Sequence, residues 1–177
     1  SFSNTRVEDF QSKRKFNLIV MLTVFEHMPN PKKSFDNIFK LLKKNGIVYL
    51  TSPNKYWIYE QHYGLPFLSW LPLPLANKYL KLFRGLKSYE DSSYSLGYSS
   101  IKKFLEQYGY YYKFILPQES NIPFIGCGKK EFPYTLARNL GIKLIRFNPF
   151  FWNLSKGFII VIKKNNFQHA TRFIPAT

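Results

Sequence analysis

Apolar and polar positions fall along the chain in blocks whose lengths select the elements. Phe16–Leu22 (FNLIVML) is an apolar run of strand length, of the kind buried on both faces of a parallel sheet. Further on, Phe35, Ile38, Phe39 and Leu42 occupy i, i+3, i+4 and i+7, which predicts an amphipathic helix over 34–44. Lys43 and Lys44 suit its C-terminal end, and Asn45-Gly46 supplies a left-handed stop. Ile47–Thr51 predicts a second buried strand, ended by Ser52-Pro53-Asn54. Strand, helix, strand with short connections is the parallel crossover unit.

The stretch 55–75 breaks this rhythm. Trp57, Tyr59, Tyr63, Phe67 and Trp70 alternate with Pro66, Pro72 and Pro74, too much proline for a regular element and too apolar for a solvated loop. Leu75–Arg84 predicts a short amphipathic helix stopped by Gly85. Residues 87–96 predict a polar, mobile loop. Ser99 or Ser100 is expected to cap a helix reaching about Tyr108, with Ile101, Phe104 and Leu105 inward and Gly109 ending it. Tyr110–Leu116 and Phe158–Ile162 predict a third and a fourth strand. Residues 117–156 are irregular, with a helix near Tyr134–Leu140, and the tail after Asn165 is frayed. The organisation expected is a core over 1–54, an insert or lid over 55–97, C-terminal strands and helices over 98–164 and a tail over 165–177.

Two segments carry a family resemblance. Phe16-Asn17-Leu18-Ile19, the loop pair Glu26-His27, Lys44-Asn45-Gly46 and Thr51-Ser52-Pro53-Asn54 resemble the middle of class I S-adenosylmethionine-dependent methyltransferases. That family shows an aromatic-Asp-Leu-Ile strand, a Glu-His loop, a helix, Lys-Pro-Gly-Gly and a strand ending in Thr-Pro-Asn. The match covers residues 7–54 clearly. Here Asn17 stands for the usual Asp, and one Ser is inserted before Pro53. The block His62–Phe67 resembles a segment seen in one branch of these enzymes. From Tyr98 onward only the order of elements corresponds.

The resemblance implies an α/β fold, a partial Rossmann-like sheet holding strands four to seven of the family. All are parallel but one near the C-terminal edge, and the aromatic, proline-rich insert is added to them. It implies S-adenosylmethionine as cofactor, lying across the C-terminal ends of strands. The glycine-rich loop and the ribose-binding acid of the family have no counterpart in the sequence. Gly126-Cys127-Gly128 lacks the strand-loop-helix context and reads as a structural turn. The chain starts at Ser1 rather than Met and is expected to be a fragment of a longer protein. Alone it should bind cofactor poorly, be inactive, and expose an aggregation-prone strand edge.

Composition adjusts this picture only modestly. With 177 residues, 45% hydrophobic and 20% charged, the chain can bury a core. Its net charge of +16 attracts anions, but Arg14, Lys32, Lys43, Lys81, Lys102, Lys129 and Lys163 are scattered rather than gathered into an arm, which disfavours a nucleic-acid tail. The single cysteine, Cys127, excludes an intrachain disulfide framework and suits a reducing cytoplasm. No apolar run approaches the ~18 residues of a spanning helix.

The candidate chemistry follows the same map. By resemblance, Val7 and Glu8 lie at the adenine-binding loop, where Arg6 occupies the position of the usual acceptor and cannot accept a hydrogen bond; Glu8 or Asp9 could take that role. Leu22 and Thr23 would line the methionine part of the cofactor. Glu26 and His27 form the catalytic candidates: they orient an acceptor or take its proton, or instead Glu26 caps the next helix and His27 packs structurally. Asn54, His62 and Tyr63 are the substrate-binding candidates, with Glu60 beside them in the lid. Glu26, His27 and His62 lack a paired ligand spacing, so no metal is expected. The function expected is methyl transfer to a small-molecule, lipid or glycan acceptor. The alternatives are a membrane-surface module for anionic lipid, given the Trp- and Tyr-rich basic composition, and an RNA methyltransferase, which only the charge supports. The expected location is the cytoplasm, with peripheral membrane contact as the variant.

Overall fold

The computed structural model describes residues 3–117 and 131–164; Gly126-Cys127-Gly128 and the tail after Asn165 lie outside them. Four strands form one sheet in the order β1 (Phe16–Leu22), β2 (Leu42–Pro53), β4 (Gly157–Lys163), β3 (Tyr111–Phe114). β1 and β2 are parallel, while β4 runs antiparallel to both β2 and β3. One reversed strand among parallel ones is the arrangement the resemblance implies. The helices are α1 (Pro31–Leu41), α2 (Leu73–Arg84), α3 (Tyr98–Glu106) and α4 (Glu131–Phe147).

Helix α1 begins and ends three residues earlier than the apolar spacing predicts. The Asn30 side chain accepts the Lys33 N–H at 3.1 Å, and Pro31 fills the first helical position, where no N–H is needed. Glu26 therefore does not cap this helix. At the other end Leu42 is already extended, and neither Asn45 nor Gly46 is left-handed. Instead β2 bulges: Phe16 pairs with Leu42 and Leu18 with Ile47, so residues 43–46 bow out of the ladder. Gly46 is small there because a Cβ would lie 2.6 Å from Leu42 Cγ.

One face of the sheet (Met21, Val48, Leu50, Phe158, Ile160, Ile162) packs on Phe35, Ile38 and Phe39 of α1, on Ile101 and Leu105 of α3, and on Trp152. Phe35 is its hub, with ring centroids 5.8 Å from Phe25, 5.6 Å from Phe39 and 5.1 Å from Phe104. β1 is not buried on both faces as its continuous apolar run predicts. Leu18, Val20 and Leu22 are 55%, 53% and 56% exposed, because the helices of the main core cover the opposite face.

The 55–97 insert has a small core of its own. Leu65, Leu68, Ala76, Leu80 and Tyr89 are buried together. Segment 87–96 is thus folded down onto this core, anchored by Tyr89, rather than forming an open polar loop. Within 55–75 the chain makes a hairpin-like turn: Phe67 N–H bonds to the Ile58 carbonyl and Glu60 N–H to the Leu65 carbonyl, with Gly64 left-handed at the bend. Helix α3 starts from Gly97 without a side-chain cap, so neither Ser99 nor Ser100 serves as one. Gly97 lies against the Tyr56 ring, where a Cβ would clash. Among the described residues no helix is long and apolar enough to cross a membrane.

Candidate active site

Three loops meet beyond the C-terminal ends of β1 and β2, the edge where open α/β sheets bind ligands. The first follows β1. Thr23 sits at φ 48°, a left-handed conformation that is an outlier for a β-branched residue. Its N–H is held by Thr51, through the carbonyl at 3.3 Å and Oγ1 at 3.0 Å. This bend throws the chain into a 3-10 turn, Phe25–His27. Phe25 enters the core, Glu26 turns inward and His27 faces out.

Glu26 is the unusual residue. It is fully buried, and neither carboxylate oxygen has a hydrogen-bond partner among the described residues. Burial pushes its carboxyl above the usual carboxylate range, and the Glu60 carboxylate acts in the same direction. Its own backbone N–H and the two histidines oppose this only in part.

His27 is fixed by the third loop. Its Nδ1 bonds to the Asp91 carbonyl oxygen. A carbonyl only accepts, so Nδ1 carries the proton and Nε2 holds the lone pair of the neutral ring. That Nε2 is 3.9 Å from Glu26 Oε1. The Tyr94 N–H also bonds the Glu26 carbonyl at 3.2 Å, which pins the 89–95 segment to this turn.

The second loop is the 58–67 turn after β2. Glu60 is buried and folds its carboxylate over the bend, where Oε2 accepts the N–H groups of His62 (2.8 Å) and Tyr63 (2.7 Å). Oε1 accepts from His62 Nδ1 at 2.8 Å, so in the neutral ring the lone pair is on Nε2. The His27 and His62 rings stand 5.2 Å apart, edge to face. Tyr89 closes the floor from the insert core. Its hydroxyl is buried without a hydrogen-bond partner among the described residues, and burial pushes its ionisation up, with Glu60 acting in the same direction.

The other expected residues fall in several places. Leu22 is half exposed at the end of β1, beside Thr23. The Val7 and Glu8 turn is tied to α1, with the Asn37 amide donating to the carbonyls of Val7 (2.6 Å) and Phe10 (2.8 Å). Asp9 pairs with Lys33 at 3.3 Å. Asn54 is buried away from the cluster. Its Nδ2 lies within bonding distance of the carbonyls of Trp152 (3.2 Å), Asn153 (2.9 Å) and Ser155 (2.8 Å), and its Oδ1 accepts from Tyr56 N–H at 3.0 Å. Two amide hydrogens facing three acceptors leave no donor for a substrate, so Asn54 clamps β2 to the turn before β4 instead. Tyr63 packs its ring on Tyr89 at 5.9 Å, and its carbonyl accepts from Arg84.

The apolar and proline pattern of the sequence hid the inward carboxylate of Glu60, the Tyr89 hydroxyl and the Asp91 carbonyl. A solvent-open recess of about 260 Å³, lined by Asp36, Phe39, Lys40, Tyr108, Tyr110 and Lys164, lies at the opposite end of the strands and shares no residue with the cluster.

The sheet has one reversed strand, and an acid–imidazole cluster stands beyond the C-terminal ends of β1 and β2. The sequence profile of a methyltransferase-domain family matches residues 2–113, and the chain belongs to that family. The uncharacterized protein Rv1509 of Mycobacterium tuberculosis is 30% identical over 61 residues, which are 34% of this chain and 21% of that protein. The plantazolicin methyltransferase BpumL, solved with a triazolic desmethylPZN analog and SAH, is 16% identical with a TM-score of 0.48, over 92% of this chain and 58% of that one. A SAM-dependent methyltransferase of Thermotoga maritima, described as a possible histamine N-methyltransferase, is 12% identical with a TM-score of 0.48, over 91% and 62%. The chain therefore spans less than two thirds of each of these relatives.

Proposed function

We propose that this chain forms the acceptor side of a methyltransferase that moves the methyl group of S-adenosylmethionine to an oxygen, nitrogen or carbon nucleophile of a small molecule, lipid or glycan. The observation that carries the proposal is the strained left-handed Thr23 at the end of β1, which sets an acid–imidazole pair directly at the ligand edge of the sheet. The apolar, half-exposed Leu22 beside it fits an aliphatic or ring face of the cofactor. When bound, that cofactor supplies an electrophilic methyl on a sulfonium. Transfer needs chiefly alignment of the nucleophile, and the Glu26, His27, His62 and Tyr63 group is suited to hold and orient an acceptor. If the acceptor is a hydroxyl, an unprotonated imidazole Nε2 at this edge can also handle its proton.

His27→Ala is expected to lower turnover of labelled methyl into acceptor ~100-fold while leaving the affinity for S-adenosylhomocysteine within about threefold. An equal loss in both would mean that His27 serves the fold instead.

A second reading of the acceptor rests on helix α2. Its Ala76 and Leu80 face the insert core, while Leu75, Leu82 and Phe83 are 51%, 78% and 59% exposed among Lys78, Lys81 and Arg84. An apolar ridge flanked by cations is the pattern of a helix lying on an anionic bilayer, which suits a lipid-linked acceptor. The wild-type protein is expected to sediment with phosphatidylserine vesicles, and Leu82→Ser/Phe83→Ser to stay in the supernatant. Equal sedimentation of both would remove the lipid reading.

A further inference from the structure

From the same loops we infer that Glu26, His27 and His62 form a binding site for a first-row divalent transition-metal ion. One ligand atom from each of the three lies within 4.8 Å of the other two. Around a bound ion such atoms sit about 3.3 Å apart, given metal–ligand bonds of ~2.0–2.1 Å. A shift of the two partly exposed imidazoles that keeps their Nδ1 hydrogen bonds covers the difference. Solvent reaches the cluster through these same rings.

Three features point to an ion. Glu26 is a buried carboxylate whose two oxygens have no partner among the described residues, although buried polar groups are almost always paired; a cation supplies what its surroundings omit. Both histidines already make the outer hydrogen bond that orients metal-ligating imidazoles. His27 Nδ1–H is on a backbone carbonyl and His62 Nδ1–H on the Glu60 carboxylate, so in the neutral rings each Nε2 is the lone-pair donor. The ligands also come from two loops that both touch the 89–95 segment, the first through Asp91 to His27 and the second through the Tyr63–Tyr89 ring contact at 5.9 Å.

Two imidazoles and one carboxylate, with the other coordination positions open, favour zinc, iron(II), cobalt or manganese over calcium or magnesium, which prefer all-oxygen shells. An oxygen ligand on an open position, whether water or an acceptor hydroxyl, would release its proton more readily to solvent. In that state His27 is a ligand rather than a base. The site shares its side chains with the proposed methyl-transfer reading, but its occupancy is measured with no cofactor or acceptor present, so the two stand or fall separately.

The test uses metal-stripped protein titrated with Co²⁺. One equivalent is expected to bind, with visible absorption bands that Zn²⁺ abolishes. His27→Ala and His62→Ala should each weaken uptake at least ~10-fold with the far-ultraviolet circular dichroism unchanged. On the wild type, substoichiometric Mn²⁺ should broaden the ring proton resonances of both His27 and His62, a result that needs no variant to fold. Absence of stoichiometric uptake, uptake retained by both variants, or ring signals untouched by Mn²⁺ would overturn the site.

Discussion

Phe35→Ala is expected to destabilise the protein by about 3–5 kcal/mol, the range for emptying a core aromatic site. Phe35 is fully buried, and its ring touches Phe25 from the loop after β1, Phe39 from its own helix and Phe104 from α3. Three elements meet on that one ring, so the cavity left cannot close by moving any one of them. Because Phe25 immediately precedes Glu26, the same change should loosen the 25–27 turn. Urea unfolding measures the loss. A change below about 1 kcal/mol would mean that the α1–α3 packing does not hold the site.

Glu26→Met is expected to act in the opposite direction, raising stability by about 1–3 kcal/mol at pH 7.5 while reducing methyl transfer to background. A buried carboxyl with no partner carries its desolvation penalty uncompensated, and an apolar side chain of similar length removes that penalty. The sign with pH follows from the raised carboxyl pKa. Below 4.5, the ordinary value for a glutamate carboxyl, both folded and unfolded chains hold the proton. Above it the unfolded chain releases its proton first and the native state keeps its own, so stability drains away as pH rises toward the folded pKa. The advantage of the methionine variant should therefore be small at pH 4 and grow toward pH 7.5, measured by urea unfolding in the presence of a chelator. A destabilised variant at pH 7.5 would show that Glu26 supports the fold rather than opposing it. Residues that lower stability while serving chemistry are the ordinary mark of a functional site.

β1 and β4 were legible because each is an apolar run bounded by polar residues or glycine: Phe16–Leu22 is matched in full, and β4 exceeds the predicted run by one residue at either end. The register of α1 was not, since its apolar spacing fits two starts and only Asn30-Pro31 selects the earlier one. The bulge over 43–46 is invisible in sequence, because it arises from how far β2 must slide to pair with β1. Glu26, His27 and His62 could be picked out as ionisable residues in loops. Their convergence could not, because it depends on a hairpin-like turn inside the proline-rich insert and on a polar segment folded down by Tyr89. Asn54 looked like a ligand for the converse reason: a polar residue at a strand end reads the same whether it faces a cleft or, as here, three backbone carbonyls.

Calorimetric titration of S-adenosylhomocysteine into the full-length product of the gene encoding this chain tests the central claim most directly. Saturable one-to-one binding, weakened at least ~10-fold by Leu22→Glu at the end of β1, is the result the methyl-transfer account predicts, since the ligand would have to cover and desolvate the new carboxylate. No binding, or binding that Leu22→Glu leaves unchanged, would contradict it.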